Sequence, residues 1–309
     1  MLYPLKFKPI IKPKVWGQES WLISTYGKDQ SIVENGFLAG NTLSELIEIY
    51  MDELVGGSIY QMFGDTFPLL FKTIDAQDDL SIQVHPDDMI AAELEQLGKS
   101  EMWYVSHADP QASIILGFNR ATNRDEVATS LQQDTIMDIM QVVPVSQGDA
   151  AFVEAGLVHA LRKGTQVVEI QQSSDLTYRL YDYCRPGLDG QLRELHVDQA
   201  LNCLNYEAQQ DPLINYNNPV NSAASLVQDE HFCTNILHFD KPINRDYAEL
   251  DSFVAYICAE GQVRVEALDG EDGEPVTLNA GEAALLPASL KDIQLTPDGT
   301  AKVLEVYVI

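Results

Sequence analysis

The sequence predicts a mainly β protein made of two copies of one fold, interrupted by a small helical insertion. Three observations predict it. Short runs of alternating apolar residues, punctuated by Gly, Asn and Asp, fill most of the chain. Only three stretches carry helical periodicity. The segment GDAAFVEAGLVHAL at 148–161 recurs without a gap as GEAALLPASLKDIQ at 281–294, a repeat at the scale of a domain.

The elements follow in chain order. FPLLFKTIDA reads as a strand over Phe67–Ile74. In SIQVHPDD (81–88), Leu80, Ile82 and Val84 alternate with Ser81, Gln83 and His85, which places Gln83 and His85 on one face, two residues apart. Asp87 and Asp88 are capping residues for a helix MIAAELEQL that stops at Gly98. In GKSEMWYV (98–105), Glu101, Trp103 and Val105 share a strand face. SIILGF (113–118) is a strand, and 122–142 carries two helix-like patterns, with Asp134 as the cap of the second. After the first repeat come a strand QVVEIQ (166–171) and a helix HVDQALNCL from 196, with Val197, Ala200, Leu201 and Leu204 on one face. The polar, Pro- and Asn-containing stretch at 205–225 reads as a linker, and VLEVYVI (303–309) as a strand. The expected domains are 1–215, with its helical insertion near 120–143, and 226–309.

Each repeat is a turn, an inward strand, a second turn and a polar residue aimed back at the core: His159 in the first, Asp292 in the second. The pattern resembles the second motif of the cupins, a Gly followed six residues later by Pro-x-Gly and then a metal-binding His. The cupin jelly roll is a double-sheet barrel, so the resemblance implies two cupin-type jelly-roll barrels. The first copy keeps Gly156 and His159 but has Glu154 for the Pro. The second keeps Pro287 but has Ser289 for the Gly and Asp292 for the His. Metal chemistry therefore belongs to the first copy. The C-terminal one is expected to be without metal, a structural or oligomerising unit.

Gln83, His85, Glu101 and His159 together offer two imidazoles, a carboxylate and an amide oxygen. Such a set of nitrogen and oxygen donors suits Zn²⁺. Plainer readings exist for each: a half-exposed polar strand face for Gln83 and His85, a solvated strand-end charge for Glu101, a backbone-bonded core histidine for His159. Their common inward aim favours the metal site.

QVHPDD, GKSEMWYV, GLVHAL and SSDLTYRLYDY, in this order, resemble the class I mannose-6-phosphate isomerases of the short bacterial type. YPLKFKPI, KVWGQESW and FPLLFKTIDAQDDLSIQVHP extend the likeness over nearly the whole chain, weakest in the linker. The resemblance implies zinc-dependent interconversion of mannose 6-phosphate and fructose 6-phosphate through an enediolate. It places one zinc ion on Gln83, His85, Glu101 and His159, and active-site roles on Lys99, Asp175 and Arg179. One departure is visible: longer relatives carry a His before that Lys, where this chain has Gly98.

The isomerisation needs an open-chain sugar, a proton removed alpha to a carbonyl, and stabilisation of the charge that develops. Lys99 and Arg179 supply positive charge for phosphate or enediolate, Arg being the better fork for phosphate. Lys99 could also shuttle protons, Asp175 could assist ring opening, and Lys72, a cation in an apolar run, could bind substrate. The plainer readings are a helix-end cation, a turn cap, a salt-bridged strand residue for Arg179 and a snorkelling strand end for Lys72.

Composition narrows the partners. Nineteen Lys and Arg against 47 Asp and Glu give a formal net charge of −28, which repels nucleic acid and anionic membrane. That charge reads as solubility, and an anionic substrate such as a phosphorylated hexose must then be met by local cations. Cys184, Cys203, Cys233 and Cys258 form no CxxC pair, which suits reduced thiols in a cytoplasmic protein. The N-terminal MLYPLKFKPIIKPKVWGQES has no signal-peptide pattern, and no apolar run approaches a membrane span. Two rival functions remain. A non-haem iron oxygenase uses two His and one carboxylate, but Gln83 would take a coordination position that oxygen chemistry needs. A non-catalytic sugar-phosphate sensor would not need Lys99, Asp175 and Arg179.

Overall fold

The computed structural model describes residues 2–268 and 274–309. The protein is mainly β and separates into two compact units. The central unit comprises Ile11–Ser20 and Thr73–Ile214; the flanking unit comprises Met1–Ile10, Trp21–Lys72 and Asn215–Ile309. The boundary after Ile214 falls within the stretch read as a linker. Residues 1–10 and 21–72, however, group with the C-terminal strands and not with the rest of the expected domain 1–215. Each unit contains two antiparallel sheets on a shared core, and among the described residues neither closes into a barrel.

In the central unit, Ala150–Val153, Glu101–Ala108 and Thr165–Gln172 are successive neighbours in one six-stranded sheet, whose order continues through Leu69–Ala76, Gly17–Ile23 and Ile10–Lys14. The other runs Met140–Pro144, Ser113–Phe118, His159–Leu161, Ile82–Val84, Tyr178–Tyr181. Trp103, Val105 and Val167 of the first meet Ile114, Leu116 and Leu161 of the second in one core. The outer face of the second sheet is also covered. Ile82, Val84, Ala160 and Leu180 pack beneath the helices Arg124–Gln132 and Val197–Cys203 through Val127, Ala200 and Leu201. A strand buried on both faces still alternates, so Ile82 and Val84 go under the helices and Gln83 and His85 go to the inner side.

Two helical expectations are corrected. The helix after Asp87 spans only Asp88–Ala92, with Asp87 Oδ1 accepting from Ile90 N–H at 2.8 Å. The chain then turns through a left-handed Glu95 (φ +55°) and does not stay helical to Gly98. Asp134 is itself left-handed (φ +57°) and caps nothing; its carboxylate accepts from the Tyr181 hydroxyl at 2.9 Å, and Ile136–Ile139 is a single 3₁₀ turn. The first helix of the insertion, Arg124–Gln132, is capped by Asn123, which accepts from Glu126 N–H at 3.0 Å.

In the flanking unit, one sheet runs Leu5–Lys6, Ala283–Leu286, Val254–Glu260, Ala301–Tyr307, Cys233–Phe239, Ser222–Gln228. The other runs Ile243–Asp246, Asp292–Pro297, Gln262–Ala267, Val276–Asn279. Two further helices, Leu43–Val55 and Gly57–Phe63, were not read from the sequence. Their signal is a capping box: Thr42 accepts from Glu45 N–H at 3.3 Å, and the Glu45 carboxylate accepts from Thr42 N–H at 2.8 Å. Leu43, Leu46, Ile47 and Leu54 form the buried stripe behind it. Gly56 joins the two helices at φ +100°, where a Cβ would sit 2.4 Å from the Asp251 carbonyl oxygen.

The internal repeat extends well beyond the two sequence motifs. In the central unit Val153 lies opposite Glu101, Glu169 opposite Trp103, and the register shifts between Gln166 and Val167. In the flanking unit Leu286 lies opposite Val254, Glu305 opposite Tyr256, and the register shifts between Cys258 and Glu260, next to Lys302. The facing sheets differ by one residue from the ungapped alignment. His159 is inward, opposite Gln83 and Leu116. Asp292 is exposed, and the inward residue is Ile293, opposite Arg245 and Ala267. Asp292 is therefore not the counterpart of His159. The inward positions held by Gln83, His85, Glu101 and His159 correspond to Arg245, Tyr247, Val254 and Ile293.

Candidate metal centre and active site

His85, Glu101 and His159 are almost completely buried, at 1%, 1% and 0% exposure. Three neighbouring elements deliver them. Ile82–Val84 presents His85 just before Pro86 ends the pairing, Glu101 opens the strand Glu101–Ala108, and His159 opens His159–Leu161. Their ligating atoms all lie within 4.8 Å of one another, the arrangement of a possible metal site.

Hydrogen bonds set the imidazole tautomers. His85 Nδ1 is 2.9 Å from the Leu176 carbonyl oxygen, and His159 Nδ1 is 2.8 Å from that of Leu157. A carbonyl oxygen only accepts, so both Nδ1 atoms carry the proton and both Nε2 atoms present lone pairs. Those two Nε2 atoms are 3.1 Å apart. His85 Nε2 is 3.2 Å from Glu101 Oε1, and His159 Nε2 is 3.8 Å from Glu101 Oε2. The Gln83 amide nitrogen is 3.3 Å from His159 Nε2, and half a turn of the amide brings its oxygen to the same place.

Lys99 Nζ, 4% exposed as a residue, is 2.9 Å from Glu101 Oε1 and 3.2 Å from His85 Nε2. Despite that short distance, neither Glu101 oxygen receives a hydrogen bond of acceptable angle. The Lys99 contact is therefore an ion pair and leaves the carboxylate lone pairs undirected toward a donor. Burial, assisted by the Lys99 charge, lowers the His85 pKa to about 3, and burial lowers that of His159. For Glu101 burial acts in the opposite sense, but the Lys99 ammonium and then the two imidazoles outweigh it and hold the carboxyl well below the usual range. At neutral pH the cluster is two neutral imidazoles and one carboxylate. The Lys99 ammonium meets this charge from one side, and the two imidazole nitrogens and the carboxylate make a set of nitrogen and oxygen donors that fits a divalent metal such as Zn²⁺.

Arg179 lies opposite Gln83 in register, and Gln83 opposite His159. Paired residues of an antiparallel sheet point to the same side, so the three form a row on the inner face across three strands. Arg179 Nη1 donates to the Glu194 carbonyl oxygen at 2.8 Å, while its buried Nε has no hydrogen-bond partner. Burial, with Arg193 adding, lowers its pKa from the ordinary guanidinium value, and Asp182 opposes this.

The other two candidates are not members of this row. Asp175 is exposed on the connection between Thr165–Gln172 and Tyr178–Tyr181. Lys72 belongs to the flanking unit, where it is 2% exposed with its Nζ 5.2 Å from the centre of the Trp21 ring. A buried carboxylate beside the cluster was not read from the sequence. Glu169, 4% exposed, accepts from Trp103 Nε1 at 2.9 Å, and Trp103 stands edge-on to His159 with ring centres 5.4 Å apart. Its signal was present in QVVEIQ: Val167, Glu169 and Gln171 share the inner face, and a charge there is unusual.

Comparisons with known proteins agree with this geometry. The sequence model of the family described as phosphomannose isomerase type I, catalytic domain, matches residues 6–116. Mannose-6-phosphate isomerase ManA of Bacillus subtilis is 41% identical over 216 residues, covering 64% of this chain and 67% of that one. A second B. subtilis protein, YvyI, provisionally assigned the same name, is 33% identical over 314 residues, covering 94% and 95%. The crystal structure of a B. subtilis mannose 6-phosphate isomerase superposes with a TM-score of 0.87 at 31% identity, covering 99% of this chain and all of that one. Phosphomannose isomerase from Salmonella typhimurium shares the fold at a TM-score of 0.78 and 15% identity.

Proposed function

The chain belongs to the type I phosphomannose isomerase family, and we propose that it interconverts mannose 6-phosphate and fructose 6-phosphate. One observation carries the reading to this chain's own atoms: the two imidazole Nε2 lone pairs and the unsatisfied Glu101 carboxylate converge beside Lys99, with Arg179 in the same row. Zn²⁺ held by Gln83, His85, Glu101 and His159 would polarise the carbonyl of the open-chain sugar and favour the negative charge that develops on it. The protein groups do the rest. Arg179 places a guanidinium, half-buried and with an unpartnered Nε, where phosphate or enediolate charge can be met. Lys99 holds its ammonium against Glu101 and would be the group that carries the proton between adjacent sugar carbons. Asp175, exposed, is available to solvent-side ring opening.

The same reading takes each unit as a cupin-type jelly roll, supported by its two sheets around one core. It takes the flanking unit as lacking a metal site, because Arg245, Tyr247, Val254 and Ile293 stand at the inward positions. Gln83 beside His159 disfavours an oxygenase, since it adds a fourth protein donor.

A coupled assay with mannose 6-phosphate tests the proposal on purified protein, before chelation, after it, and after zinc is returned. Turnover should vanish with chelation and come back with zinc. Turnover indifferent to chelation would remove the metal from the reading, and no turnover of zinc-loaded protein would remove the substrate.

A further inference from the structure

Lys99 sits in a tripeptide, Gly98-Lys99-Ser100, that belongs to neither the preceding helix nor the following strand, yet all three residues are buried. Each of its three backbone N–H groups has a specific partner. Gly98 donates to Asp88 Oδ1 at 2.6 Å, Lys99 to the Pro86 carbonyl oxygen at 3.1 Å, and Ser100 to Gln172 Oε1 at 2.9 Å. Gln172 also donates its own N–H to the Ser100 carbonyl oxygen at 3.2 Å and its amide Nε2–H to Asp88 Oδ1 at 3.1 Å. Asp88 and Gln172 are thus bonded to each other and to the residues on both sides of Lys99. The approach is close: a Cβ at Gly98 would lie 2.6 Å from Asp88 N and 2.7 Å from Asp87 C. Gly98 is what lets the tripeptide reach the clamp, and that position has no room for a side chain.

We propose that Asp88 and Gln172 are positioning residues that set where the Lys99 ammonium stands. The inference rests on Lys99 acting on substrate, as proposed above. A Lys side chain has four rotatable bonds, so its ammonium is aimed only if its backbone is held and its stem enclosed. Here the clamp does the first and burial does the second. Asp88 acts only as an acceptor toward Gly98 and Gln172, so an amide oxygen can replace it, whereas a methyl cannot.

The test uses the full-length, metal-loaded protein with two independent readouts. Amide exchange by mass spectrometry should show protection at Gly98 lost in Asp88→Ala and protection at Ser100 lost in Gln172→Met, with both retained in Asp88→Asn. Steady-state turnover of mannose 6-phosphate should fall roughly tenfold to hundredfold in kcat for Asp88→Ala, with metal content unchanged and Asp88→Asn close to the unaltered protein. Unchanged exchange in Asp88→Ala overturns the clamp. Raised exchange with unchanged kcat and KM overturns its role in positioning, as does a loss of activity that tracks a loss of metal. Absent turnover in the unaltered protein overturns the function proposed above, and the exchange data alone then decide the clamp.

Discussion

His159 shows what one side chain carries in this protein. Its Nδ1 is spent on the Leu157 carbonyl and its Nε2 faces His85 and Glu101, so no other group can take over its lone pair. His85→Ala and His159→Ala should each lose bound metal and turnover together while the far-ultraviolet circular dichroism stays β-rich. A His159→Ala protein with full metal and normal turnover would remove it from the site. Arg179 should behave differently, because it stands beside the donors and is not one of them. Arg179→Ala should keep its metal and lose about tenfold to hundredfold in kcat/KM, the equivalent of one charge-assisted hydrogen bond of about 1.5–3 kcal/mol. A fall in kcat as well as kcat/KM would place the interaction in the transition state, and a rise in KM alone would place it on the phosphate in every state. Unchanged kinetics would make Arg179 a structural strand residue.

At the level of elements, the helix Leu43–Val55 depends on a start signal separable from the site. Thr42 and Glu45 satisfy each other's backbone N–H groups, and Leu43, Leu46 and Ile47 bury the face behind them. Thr42→Ala should lower stability by about 1 kcal/mol in urea unfolding, with turnover intact. An unchanged midpoint would mean that packing alone holds the helix. The strand Ala301–Tyr307 carries a heavier polar load. Glu305, at 0% exposure, receives Arg245 at 2.8 and 3.0 Å, the Tyr247 hydroxyl at 2.5 Å and Asn235 at 2.9 Å. Burial acts to lower the Arg245 pKa, but the Glu305 charge outweighs it and raises the value above the ordinary one. Arg245→Met should therefore destabilise the flanking unit by about 3–5 kcal/mol, because it leaves a buried carboxylate without its cation. Metal content should not change. A variant as stable as the parent would mean that Tyr247 and Asn235 suffice for Glu305.

For the whole molecule, burial of neutral imidazoles makes stability depend on pH in a definite direction. An unfolded His85 takes up its proton near pH 6.5, whereas the folded one resists protonation down to about pH 3. Between those values the unfolded chain binds more protons, so stability falls as pH falls. In chelated protein the loss attributable to His85 should be about 2 kcal/mol between pH 7 and 5, and Glu101, whose folded pKa is also depressed, should add to it only below its usual range. Thermal unfolding of chelated protein against pH checks this, with His85→Gln expected to flatten the upper part of the curve. A parent profile already flat from pH 7 to 5 would contradict it. The formal charge of −28 is a separate property of the whole surface, and the cations that matter, Lys99 and Arg179, are buried or half-buried at the site.

Much of this protein was legible in its residues because strand alternation is a local property. The period of two in SIQVHPDD and GKSEMWYV was enough to send Gln83, His85, Glu101 and Trp103 inward, and the GDAAFV and GEAALL repeats were enough to announce two related units. The likeness of the four motifs to a known family added Lys99, which the fold sets against Glu101, while Arg179 stands in the row with Gln83 and His159. Chain-order reading could not group residues 1–10 and 21–72 with the C-terminal strands, because strand pairing joins segments hundreds of residues apart: Leu5 lies opposite Leu285. It also could not see that Asp292 faces out and Ile293 in. An ungapped repeat hides a one-residue change of register, and with a period of two that change reverses every side chain beyond it. The capping role read for Asp134 and the full helix after Asp88 failed at left-handed residues, Asp134 and Glu95: Asp tolerates that conformation, but whether it adopts it or caps a helix is settled by the contacts around it. Composition and periodicity by themselves determined that the chain is mainly β, repeated, and furnished with inward nitrogen and oxygen donors. Which of those donors meet, and in which unit, only the tertiary structure decided, because hydrogen-bond partners and register between distant strands are fixed by pairing and not by order along the chain.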